Sequence, residues 1–429
     1  MIGIDPMPAG GTTAGPATGT RLTERHVLAL GLAVAGVLVL AAGAAAGATL
    51  LAGGSPWTAI HLALAGAATV AIGTFMPHFA VTLAGTRPRA AVERLVAIGL
   101  LATGATTVVI GMTVVGGWLA GIGSLAMLAG LGVVAVQTLA PPRDPLARRH
   151  HVVTLTYGAA LVQLAAGISI GGLSAAGLPW AVASWAELRA AHVWLALFGA
   201  VSLTIFGTLV YLAPTVLGAR IRPSTVLIVG AVGMLAGPPI TAVAFVVSLP
   251  PLALAGMALT LLGAFGQIGY LLDVVRRRGP FTSEHDWRRA SWGHLFAGPA
   301  WFAAALVVAV VGMIGGDPLR GWSIGLLAVP MIAGWMLQEL IGSWTHLAPS
   351  VTPGTAASHA RQRRVLAVAS RTRLVALNAG VALAWLGGAL GVAPAIGAGA
   401  LLIGASALVA VALLIRALVV NQSLTVARY

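Results

Sequence analysis

A helix needs roughly twenty apolar residues to cross about 30 Å of hydrocarbon, and this 429-residue chain contains twelve such stretches, almost end to end. They are placed near 27–52, 57–84, 91–115, 118–140, 151–175, 188–216, 223–247, 250–274, 289–314, 321–347, 373–392 and 395–420. Breaks such as Gly116-Gly117, Pro141-Pro142 and Pro250-Pro251 separate them, where the chain leaves helical geometry. Only 8% of residues are charged and 59% are apolar, whereas a soluble domain carries about a quarter charged residues. The 56 glycines, with abundant alanine, suit close helix–helix approach in lipid. The expected fold is all-α: a polytopic membrane protein of about 12 transmembrane helices.

Arginine gives the direction. Every basic side chain is Arg, and 22 of the 24 fall in the N-terminal tail, the loops after even-numbered spans and the C-terminal end. Only Arg189 and Arg320 lie on the opposite side. Basic residues favour the cytoplasmic face, so the expectation is a multi-pass protein of the cytoplasmic (inner) membrane with both termini inside. The formal charge of +14 sits in short clusters between apolar runs, which argues for topology and against nucleic acid. With no cysteine and no lysine, thiolate metal sites, thiol redox chemistry and Schiff-base catalysis are all excluded. Residues 1–24, rich in Gly, Pro and Thr, read as a flexible tail that stays attached.

The chain also echoes itself. Residues 207–218 (GTLVYLAPTVLG) match 342–351 (GSWTHLAPSV), with a weaker copy at 73–85 (GTFMPHFAVTLAG); these are the ends of spans six, ten and two. Arg94 and Arg373 open spans three and eleven in similar contexts. The implied unit is four helices used three times: 25–149, 150–287 and 288–429. Two six-helix halves, the usual plan of twelve-span secondary transporters, do not have this period.

Three arcs of four helices resemble the catalytic subunit of haem-copper oxidases and nitric oxide reductases. Locally, residues 61–69 (HLALAGAAT) and 191–209 (AHVWLALFGAVSLTIFGTL) are most similar to the membrane domains attached to bacterial multicopper oxidases and copper nitrite reductases. The resemblance implies a low-spin haem held by histidines and, in complete members, a second haem and a copper. His61 in span two matches the expected outer ligand position, and His192 opens span six. Span seven contains no histidine, and span ten has Leu327 and Pro330 where an outer ligand would stand. Copper and oxygen chemistry at a binuclear centre are therefore not expected. No cupredoxin-like domain is present, so a copper protein enters only as a separate partner or electron donor.

Spans two and six run in the same direction, so His61 and His192 lie at similar depth and are the candidate axial ligands of one haem. Gly66 and Gly199 follow at a spacing suited to a flat macrocycle. His78, His294 and His346 fall near the opposite ends of spans two, nine and ten, and are the candidates for a second metal site. Glu339 is the one acidic residue well inside a span. Burying a carboxylate in lipid is expensive, so Glu339, with Gln338 beside it and His346 on the same face, is the candidate for a proton path. Tryptophans 57, 118, 180, 185, 287 and 322 stand at span ends as an expected interfacial belt. The leading expectation is a haem-binding membrane protein for electron transfer or ligand sensing, and, if an enzyme, an oxidoreductase. A small-solute transporter and a cofactor-free structural or assembly subunit are the alternatives.

Overall fold

The computed structural model describes residues 24–86, 88–140, 151–222, 224–279, 285–315, 324–352 and 354–426. The N-terminal tail, Pro141-Pro142, His150, Arg320 and Trp322 lie outside them. The described chain is helical, with no strand. Twelve helices are long and apolar enough to cross a membrane: Glu24–Ala52, Trp57–Ala84, Ala91–Val115, Gly117–Leu139, His151–Ala175, Trp185–Leu217, Thr225–Val246, Pro250–Arg276, Asp286–Gly315, Leu326–Ser350, Ser370–Leu390 and Ala393–Val420. We number these spans one to twelve. Each agrees with its expected run to within a few residues, because hydrocarbon thickness and the Gly/Pro breaks fix the same limits.

Each span packs on the next, and span twelve returns to pack on span one, so the bundle closes into a ring. Spans two, six and ten stand inside it and touch one another pairwise. Their apolar windows are 72%, 72% and 61% buried, against 50% or less for every other span. The outer spans turn large apolar side chains such as Val37, Leu125, Val162 and Leu401 outward, as contact with lipid requires.

The three central spans share a second property. Each widens into a π-helical stretch: Leu62–Ala68 in span two, Trp194–Val201 in span six and Val329–Met336 in span ten. One extra residue in such a turn shifts the backbone and frees groups from the ordinary ladder, which is why π-bulges collect at functional sites. Span three ends in a similar stretch, Gly111–Val115, closed by Gly116 at φ 136°. Spans two and six both stop at a left-handed glycine, Gly85 (φ 67°) and Gly218 (φ 62°), a conformation that costs glycine little. That shared cap explains the glycine ending both of those sequence echoes.

Pro238 and Pro239 lie inside span seven, within its expected run. One local expectation is corrected. Trp287 is not a belt residue. It is 4% exposed and donates its indole N–H to the Thr345 carbonyl at 2.6 Å, a bond between spans nine and ten. Trp118, Trp180 and Trp185 are exposed at helix ends, as a belt requires.

Candidate functional site

His61 and His192 come together. Their rings lie in nearly parallel planes, 10° apart, with centroids 6.4 Å from each other. His61 stands just before the π-helical stretch of span two and His192 two residues before that of span six. Each ring is fixed by a backbone carbonyl: Nδ1 of His61 donates to the Trp57 carbonyl at 2.9 Å, and Nδ1 of His192 to the Gly167 carbonyl of span five at 2.7 Å. A carbonyl can only accept, so the proton of each neutral ring sits on Nδ1. That leaves the Nε2 lone pair as the donor, the orientation that second-shell carbonyls impose on metal-binding histidines.

Whether this donor set fits a metal is a matter of distance. With metal–nitrogen bonds of about 2 Å and about 1.2 Å more to each ring centre, two imidazoles in line on one ion stand about 6 Å apart; at a tetrahedral angle the separation falls to about 5 Å. The observed 6.4 Å is compatible with two imidazoles sharing one ion, as two histidines holding a haem iron would. Trp57 stacks on His61 at 3.9 Å. Gly171 leaves room for His192: a Cβ there would sit 3.0 Å from its Cε1. Both rings are half-buried.

The glycines picked from the sequence do not line a slot for a macrocycle. A Cβ on Gly66 would meet Leu38 of span one at 3.5 Å, and one on Gly199 would strike Gln163 Oε1 of span five at 2.0 Å. These glycines face neighbouring helices, and their smallness serves helix packing. Sequence spacing gave the correct helices but not the direction in which those positions point. Of the residues that shape the pair, Trp57 was marked only as a span-end tryptophan, and Gly167 and Gly171 carried no signal, because one acts through a backbone carbonyl and the other through a missing side chain.

The remaining histidines are dispersed. His78 donates from Nδ1 to Glu24 at 2.8 Å, and the same carboxylate oxygen accepts from Arg94 at 2.7 Å; Arg94 is 2% exposed and also bonds the Thr74 carbonyl. His294 donates to Gln338 Oε1 at 3.0 Å, while Gln338 donates to Asn378 at 3.0 Å, which commits that amide to a bridge between spans nine and eleven. His346 stacks on Trp287 at 5.0 Å, and its Nδ1 has no partner. Among the described residues, no three His, Asp or Glu side chains are grouped to hold a metal ion, so His78, His294 and His346 are not brought together as one site.

Glu339 is 3% exposed, and neither carboxyl oxygen has a hydrogen-bond partner. It borders a narrow apolar chamber of about 80 Å³ between spans two, six and ten, also lined by Phe75, Phe79, Leu209, Met336 and Leu347. A wider cavity of about 850 Å³ lies at the arginine-rich end of the same spans, lined by Glu24, Arg25, His78, Tyr211 and His346. Compared with protein-family models and with curated proteins, the chain matches none.

Proposed function

We propose that this chain is a haem-binding integral membrane protein that uses His61 and His192 as axial ligands and serves electron transfer. The single observation that carries the reading is the imidazole pair, 6.4 Å between centroids with both Nδ1 protons held by carbonyls. Bound there, haem would supply a one-electron couple, with His61 and His192 the residues that would hold it. The protein's part is to hold each ring in one tautomer and to raise its donor strength through the carbonyl on Nδ1. Trp57 and Gly171 keep the two rings parallel.

The reading gains support from the central triangle of spans two, six and ten, each with its π-helical stretch, which is what a threefold, oxidase-like scaffold leads one to expect. The third copy has Leu327 at the corresponding place, so the scaffold offers two imidazoles and no more at that depth. With the arginine-rich loops on the cytoplasmic side, the histidine pair lies near the outer face of the cytoplasmic membrane, accessible to a soluble electron donor or a copper protein there.

The test is spectroscopic. Protein made with ample haem is expected to show a Soret band and low-spin α/β bands on reduction, and either His61→Ala or His192→Ala to abolish them. Folded wild-type protein that stays colourless when haem is supplied would end the proposal.

A further inference from the structure

A second site lies on the axis where spans two, six and ten meet, and it owes nothing to the histidine pair. The wide cavity and the narrow chamber stand end to end: Phe79 and Leu347 line both and form the partition between them. Arg25 is exposed on the wide side, and His346, 7% exposed with an unpartnered Nδ1, sits one residue before Leu347. On the narrow side is Glu339, with no hydrogen bond to either carboxyl oxygen. Its Oε1 lies against span nine, where a Cβ on Gly298 would come within 2.5 Å of it.

A bare carboxylate in such surroundings is strongly disfavoured, so an acid kept there is kept neutral. The elements packed on this stretch carry Glu24, Arg25 and His26 of span one, Tyr211 of span six, Asp286, Arg288, Arg289 and His294 of span nine, Arg416 of span twelve, and His359, Arg361, Arg363 and Arg364 of the short helix Ala356–Leu366, besides His346 of its own span. None of them hydrogen-bonds or ion-pairs with Glu339. The chamber's volume of about 80 Å³ admits two or three waters at about 30 Å³ each, too little for an organic solute.

We propose that Glu339 is a proton-binding site loaded from the wide cavity past the Phe79–Leu347 partition, with His346 as the relay at its entrance. The test is infrared spectroscopy of the full chain in lipid nanodiscs. A neutral-carboxyl C=O band is expected in the wild type and absent in Glu339→Gln, with folding checked by circular dichroism and gel filtration. Where Glu339→Gln does not assemble, Glu339→Asp is expected to shift the band. On transfer to D2O the band is expected to exchange before the helix amides, faster in Phe79→Ala and roughly tenfold slower in Leu347→Trp. Absence of any Glu339-dependent band, or exchange indifferent to both partition variants, makes the acid a structural one and overturns the proposal. Loss of the band on adding sodium at fixed pH overturns it in favour of a metal-cation site.

Discussion

The two ends of the central triangle handle histidine in opposite ways. At the arginine-poor end, His61 and His192 are tied only to main-chain carbonyls, so neither ring spends its second nitrogen on a protein partner. At the arginine-rich end, His78 donates a hydrogen bond to the Glu24 carboxylate, and His346 is packed flat on Trp287. The same residue type on the central spans becomes a free lone pair in one place and a structural or relay group in the other. What separates them is the partner: main-chain carbonyls at one end, a carboxylate or an indole face at the other.

The most direct way to break this contrast is to exchange its members. Replacing His61 or His192 by Ala is expected to remove the haem spectrum completely, while His78→Ala and His346→Ala leave it intact; a Soret band lost equally in all four would erase the distinction between the ends. Next in size, Arg94→Leu leaves the Glu24 carboxylate with His78 alone and the buried Thr74 carbonyl without its guanidinium donor, and is expected to cost about 3 kcal/mol, read as a lower thermal inactivation temperature with the spectrum of the surviving protein unchanged. Gly171→Val drives a side chain into the His192 ring and is expected to convert part of the haem from low to high spin, seen in the visible bands and by electron paramagnetic resonance. Trp287→Phe removes one interhelical hydrogen bond, worth about 1 kcal/mol, and is expected to destabilise without touching the spectrum. Smallest of all, Gly66→Ala meets Leu38 at an ordinary 3.5 Å and is expected to be neutral in both stability and colour; a loss of haem there would restore Gly66 to the cofactor's wall.

The spans were legible because a membrane imposes one length and one polarity on every crossing. Glu339 was legible for the converse reason, since an acid inside a span contradicts its surroundings. The partnership of His61 and His192 could be raised from their equal depth, but their geometry rests on the carbonyls of Trp57 and Gly167, and any residue type supplies a carbonyl. The Glu24–Arg94 pair was hidden by sequence distance: Glu24 sits at the start of span one, 54 residues from His78 and 70 from Arg94. Gly66 and Gly199 were misread because a glycine marks closeness without saying to what, and here the close neighbour is another helix. Trp287 looked interfacial by position alone, while its indole hydrogen found an acceptor inside the bundle.

The π-helical stretches have a consequence for how such a chain tolerates changes of length. A π-bulge is an α-helix carrying one surplus residue, so removing a single residue within Leu62–Ala68 or Trp194–Val201 relaxes the turn to ordinary α geometry and leaves both flanks in phase. The same deletion elsewhere in these spans rotates everything beyond it by about 100°, turning buried faces toward the wrong neighbours. The central helices thus carry built-in places where an insertion or loss can be absorbed, each beside a residue on which function is proposed to rest.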